Sequence, residues 1–202
     1  LKGVGSRVAP LLEKLAGPIV RDVAFLRPHS VIRRERSSVA AAMEGAVQVF
    51  QVRIDAYKRP RSPQQPWRVE PYDGTGVLSL VFFGSFGGQL EAKHPLGSKR
   101  LVSGKVERFG AGLQIAHPDY IVAPDRAADI PAFEAVYPAT AGLPARTVRK
   151  FALQALGRAP DLPEWQDPAW LARERFPSWR EALALLHAPQ SEADLAPQTL
   201  HI

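Results

Sequence analysis

The chain has 202 residues, 46% of them hydrophobic and 23% charged, with a net charge of +6, the make-up of a folded globular protein long enough for a real core. It has no cysteine, which excludes disulfides, thiolate metal sites and thiol nucleophiles, and no apolar run approaches the roughly 18 residues of a membrane span. Residues 1–68 carry 13 Lys and Arg against 5 Asp and Glu, net +8, and the remainder carries 13 against 15, net −2. The basic half is therefore the end a polyanion would meet, although a solvated basic surface has the same composition. The chain shows no signal-peptide pattern, a cytoplasmic location is expected, and it opens at Leu1 as a piece of a longer protein would.

Residues 1–15 read as a glycine turn, Gly3-Val4-Gly5, opening a helix with Val8, Leu11, Leu12 and Leu15 on one stripe. Such a turn either exposes N–H groups to a phosphate or lets two helices pack closely. Ala46 to Lys58 is a long strand candidate whose apolar parity switches near Val49-Phe50, which predicts a bulge there. The basic, proline-rich stretch from Lys58 to Pro66 then forms a loop.

Asp73-Gly74-Thr75-Gly76 predicts a hairpin turn. It leads into Val77 to Phe83, where Leu78, Leu80 and Phe82 share one face and Ser79 marks a wetter one. Gln89 to His94 makes a short helix stopped by Pro95-Leu96-Gly97. Lys99 to Phe109 and Leu113 to His117 flank a three-residue turn, Gly110-Ala111-Gly112. Val122 to Ala135 reads as a connector, followed by helices. One starts at Pro144, another is broken by prolines between Leu162 and Arg175, and a third is opened by the Ser178/Glu181 capping box.

Five strands with a helix between the third and fourth is the order of an OB-fold, a partly open barrel that often binds oligonucleotides. The expected class is α+β with a mainly β core: a five-stranded OB-fold barrel at 44–123, between helical segments at 1–43 and 124–202. Lys58, Arg59, Arg61 and Arg68, on and beside the first loop, are candidate phosphate contacts, joined by Lys99, Arg100 and Lys105. A solvated loop would carry the same residues. Phe83 and Phe86, beside glycines at a strand end, are candidate base-stacking residues, and Phe83 could equally pack under the next helix.

Catalytic signatures are missing. Gly97-Ser98-Lys99-Arg100 lacks the spacing of a phosphate-binding loop, the five histidines form no ligand set, and Gly84-Ser85-Phe86-Gly87 is not a nucleophile elbow. No catalytic residue, cofactor or metal is assigned to this chain.

The succession Leu1-Lys2-Gly3-Val4-Gly5, Asp73-Gly74-Thr75-Gly76, Phe82-Phe83-Gly84, Gly104-Lys105-Val106, His117-Pro118-Asp119-Tyr120, Tyr137-Pro138-Ala139-Thr140-Ala141-Gly142-Leu143, Arg149-Lys150 and Leu186-His187-Ala188-Pro189 resembles the N-terminal wedge region of bacterial RecG-type DNA helicases, in order and over nearly the whole chain. The resemblance implies an OB-fold that engages branched DNA, forks or Holliday junctions, and splits it. Two motor domains in cis, outside these 202 residues, would hydrolyse ATP with Mg. It also implies a monomer with no membrane partner, and that Phe83 stacks at the junction with a second aromatic in the next turn. This sequence departs there, with Gly87 where that aromatic is expected, Phe86 one place earlier, and Gly84 where the family usually has Asn. The end, Ala196 to Ile202, departs from an expected Arg-Leu run. A generic single-strand module and an OB-fold used for protein docking remain the alternatives.

Overall fold

The turn at Asp73-Gly74-Thr75-Gly76 is built around one carboxylate. Asp73 Oδ1 accepts from the Thr75 N–H and hydroxyl and from the Gly76 N–H, and Oδ2 accepts from the Val39 N–H at 2.7 Å. Gly74, at φ 95°, supplies the left-handed backbone the turn needs. Burial alone would raise the Asp73 pKa, but these hydrogen bonds hold it below the ordinary carboxylate value.

The computed structural model describes residues 1–62, 64–84, 87–191 and 194. In chain order its helices and strands are α1 (Ala9–Ala16), α2 (Val20–Ala24), β1 (Ser30–Arg33), β2 (Glu35–Arg36), β3 (Val47–Lys58), β4 (Trp67–Tyr72), β5 (Leu78–Phe82), α3 (Gly87–Lys93), β6 (Lys99–Lys105), β7 (Glu107–Phe109), β8 (Gly112–Ala116), β9 (Tyr120–Val122), β10 (Phe133–Val136), α4 (Ala145–Leu156), α5 (Pro168–Glu174) and α6 (Trp179–His187). Short 3-10 turns lie at Val39–Ala41 and Pro124–Asp129. Contacts divide the chain into two units: Arg34–Ala132, and Leu1–Arg33 together with Phe133–Ile202.

In the unit Arg34–Ala132 the five main strands run β8-β5-β4-β3-β6 across one sheet. β5 and β8 are parallel, and the other neighbours in that row are antiparallel. That order, with its one parallel pair and with α3 between the third and fourth strands, is the OB-fold order. β6 and β8 do not share a ladder, so the barrel is open at that seam. Gly104 on β6 faces Ile115 on β8 there, and a Cβ at Gly104 would come within 2.5 Å of the Ile115 Cγ2. Phe50, Val52, Ile54, Val69, Leu78, Leu80, Val102, Val106 and Ile115 form the core.

β3 bends as expected, but at another place. The register shifts between Ile54 and Ala56, so that Ile54 and Tyr57, three apart, both turn to the core, and Tyr57 pairs with Val69 on β4. Val49, read as the point of the switch, is buried for a different reason: β2 runs parallel alongside at Gln48 and Val49. The run Lys99 to Phe109 is also two strands. Val106 is wholly buried and donates its N–H to the Ala46 carbonyl, turning the chain between β6 and β7. Phe109 and Gly112 are a cross-strand pair, so the turn has two residues rather than three.

In the other unit, α1, α2, α4 and β10 share a core of Leu12, Val23, Ala135, Tyr137, Leu143, Val148 and Phe151, and β1 pairs antiparallel with β10. Strand β10 occupies part of the segment read as a connector, and it is found only by pairing with β1 far back in the chain. The Gly3 turn serves packing: the Lys2 N–H donates to Gln154 Oε1 on α4, and Gln154 Nε2 donates to the Lys2 carbonyl. The Ser178/Glu181 capping box forms as read. The expectation about Ala196 to Ile202 falls outside the described residues.

His187 ends α6 wholly buried. The Tyr137 hydroxyl bonds its Nδ1, and its Nε2 lies 2.6 Å from the Ala24 carbonyl, so the neutral ring with its proton on Nε2 satisfies both partners. Burial lowers the His187 pKa, and the Ala24 bond opposes this only in part.

Two outcomes follow from this packing. Gly104→Val should destabilise the Arg34–Ala132 unit by about 1–3 kcal/mol through overpacking against Ile115, measured by denaturant unfolding. His187 takes up its proton less readily folded than unfolded, so the stability it contributes is present above its ordinary value of 6.5 and is lost as pH falls below it. Melting curves from pH 7.5 to 5 should show that loss, and His187→Phe should lower the melting temperature at pH 7.5 and flatten the acid slope.

Candidate nucleic-acid interface

β5 ends in two adjacent aromatics with opposite fates. Phe82 has inward parity, pairs with Trp67 on β4 and is buried. Phe83 follows the strand and is 54% exposed, so it does not pack away under α3. It is nevertheless held. Its N–H donates to His117 Nε2 at 3.4 Å, and the two rings lie 5.7 Å apart at 38°. His117 stands just past β8 in a left-handed conformation, φ 47°, and its own N–H bonds the Val81 carbonyl. The imidazole also meets the Phe82 ring edge-on at 6.3 Å. The result is an apolar ring presented to solvent with its back and backbone anchored. Phe86 falls outside the described residues.

The candidate cations divide into two groups. Lys58 is ion-paired with Glu70, and Arg59 makes a two-pronged pair with Glu91, Nε to Oε1 at 3.1 Å and Nη2 to Oε2 at 3.0 Å. That pair holds the exposed Arg59 guanidinium above its ordinary pKa. Arg68 donates to Ser79 Oγ at 3.2 Å and Gln114 Oε1 at 3.4 Å, and its guanidinium lies 5.1 Å from the Phe109 ring centre. Arg100 closes the end of α3, donating to the Lys93 carbonyl and to His94 Nδ1. Burial first, then Arg100 and Lys93, lower the His94 pKa and keep the ring an acceptor.

Arg61, Lys99 and Lys105 are exposed and make no ion pair among the described residues. They are the cations most open to a phosphate. Exposed pairs such as Lys58–Glu70 and Arg59–Glu91 are worth at most about 1 kcal/mol, so a phosphate can exchange for the glutamate. No group of histidine, aspartate and glutamate that could hold a metal ion occurs among the described residues, and no helix described is long and apolar enough to cross a membrane. Sequence reasoning missed His117 as the support of Phe83, because its left-handed backbone carries no signal in a histidine.

The OB-fold sheet thus presents a supported aromatic, Phe83, together with exposed cations that make no ion pair among the described residues. The chain is homologous to the RecG ATP-dependent DNA helicases, over one segment of them. It is 27% identical over 212 aligned positions to ATP-dependent DNA helicase RecG of Acidithiobacillus ferridurans, spanning all of this chain and 29% of that protein. Against RecG of Haemophilus influenzae it is 29% identical, covering 96% of this chain and 28% of the relative. The chain thus spans under a third of the curated relatives it matches. Among solved structures, that of RecG bound to a three-way DNA junction superposes with a TM-score of 0.77 at 19% identity, over 96% of this chain and 27% of that one, which establishes the common fold. No family model matches the chain.

If phosphates exchange for Glu70 and Glu91, then Glu70→Gln and Glu91→Gln should each tighten DNA binding several-fold at low salt, and the gain should vanish at high salt. Fluorescence anisotropy across a salt series measures both.

Proposed function

We propose that this chain is the branched-DNA wedge of a RecG-like helicase. The observation that carries the reading is Phe83, an exposed ring at a strand end, fixed by His117 from behind, in a fold shared with a RecG bound to a three-way junction. Exposed cations hold phosphates on either side without reading sequence. The Phe83 ring then stacks on the last base pair before the strands part.

Magnitudes set the division of labour. Base–aromatic stacking is worth roughly 1–3 kcal/mol, and one duplex stacking step averages about 1.4 kcal/mol. The ring therefore replaces the stack lost at the junction and biases where the duplex opens, but it cannot drive successive openings. Motor domains in cis, in the length of the relatives beyond this segment, would supply that work from ATP and Mg. The fold itself acts as a monomer on forks and Holliday junctions in recombination and fork repair.

The test is anisotropy of the chain with a three-way fork, the matched duplex and the matched single strand, across salt, for wild type and Phe83→Ala. We expect fork preference to fall about tenfold in the variant. The salt slope should stay the same, near 0.9 per phosphate engaged. Equal binding to all three DNAs, unaltered by the substitution, would sink the wedge reading in favour of a generic strand-binding module. Binding insensitive to salt would point to protein docking.

A further inference from the structure

The wedge reading uses one aromatic, yet the OB unit exposes a second in a more built setting. Phe109, at the tip of the β7–β8 hairpin, is 64% exposed. It lies on a groove of about 350 Å³ that also holds Lys58, Arg68, Glu70, Ser79 and Gln114. These side chains come from four adjacent strands, and the register explains their convergence. Lys58 pairs with Arg68, Ser79 with Gln114, and Gln114 with Glu107. Directly paired residues of neighbouring strands project to the same side. The face is the outer one, opposite the core residues Val69, Leu80 and Ile115.

Three features make this face selective. First, Arg68 sits over the Phe109 ring and is aimed by Ser79 and Gln114, so ring and guanidinium form a fixed pair. Second, its charge is balanced. Lys58 is tied to Glu70, and Gln114 Nε2 donates to Glu107 at 3.4 Å, so two cations stand with two carboxylates. A phosphate here has first to displace a carboxylate from its cation, whereas a flat, neutral, hydrogen-bonding group finds donors and acceptors already in place. Third, the residue paired with Phe109 is Gly112. A Cβ there would meet only the Phe109 carbonyl oxygen, at 3.9 Å, so neither packing nor a positive φ requires the glycine. Its bare backbone keeps the space beside the ring open.

We propose that this groove holds one unpaired nucleobase of a single-stranded arm, stacked on Phe109 beside Arg68 and met at its edge by Ser79 and Gln114. The inference rests on the DNA-binding reading above but not on Phe83. It gives the module two aromatic stations: one for the last base pair and one for a base of a separated strand.

The probe is a single strand carrying 2-aminopurine at one position, its abasic counterpart, and three-way junctions with and without a single-stranded arm. Phe109→Ala and Gly112→Val should each weaken the gain in affinity conferred by the arm roughly tenfold and abolish the 2-aminopurine quench. Binding of the armless junction should be unaltered. Phe109→Tyr should restore the quench, and Phe109→Leu should not, which separates stacking from simple hydrophobic packing. An unchanged quench in Phe109→Ala and Gly112→Val, or rescue by leucine equal to that by tyrosine, would overturn the proposal. Full competition by free adenosine monophosphate would overturn it too, by assigning the groove to a free nucleotide. If wild type showed no preference for the armless junction over duplex, the wedge reading would fail, and the arm-dependent quench would still judge the groove.

Discussion

β3 is the constraint on which the Arg34–Ala132 unit depends. Over Val47 to Arg53 it pairs with β6, from Arg53 to Lys58 it pairs with β4 across the register shift, and β2 lies along its early residues. A single strand can serve two arms of a curved sheet only if it bends and exchanges which parity faces inward, and the extra residue between Ile54 and Ala56 does both. Without the bend, Tyr57 would face water, and its hydroxyl would lose the carbonyls of Leu90 and His94 that tie α3 to the barrel.

The exposed rings of Phe83 and Phe109 are supported in different ways. Phe83 leans on a histidine strained into a left-handed backbone, a conformation kept only where surrounding bonds demand it. Phe109 leans on an arginine aimed by two polar side chains. In both cases the apolar ring is exposed and the polar partner behind it is hydrogen-bonded. That arrangement leaves the ring free to stack while limiting the rotamer entropy lost on binding. The ion pairs around them are exposed and weak, so they contribute little to the stability of the fold.

Much of the fold was legible because it rests on local chemistry. The Asp73 turn, the parity of Leu78, Leu80 and Phe82, the proline at the head of α4 and the Ser178 capping box each need only neighbours a few residues away. Less of the interface was legible. The positions of Phe83 and of the basic loop could be read from pattern. That Lys58, Arg59 and Arg100 already have partners, whereas Arg61, Lys99 and Lys105 make no ion pair among the described residues, depends on strands and helices brought together from distant parts of the chain.

By itself, the sequence determined the order of the main strands and helix and hence the OB-fold order, since periodicity and turn chemistry are local properties of the chain, while the likeness to RecG rests on the succession of short motifs along it. Only the tertiary structure decided where β3 bends, that β10 exists as the partner of β1, that His117 holds Phe83, and that Phe109 and Arg68 share an outer face with a bare Gly112. Most of these depend on pairing across a sheet between residues far apart in the chain. Cross-strand register is set by the packing of the whole core, which no short stretch of sequence encodes.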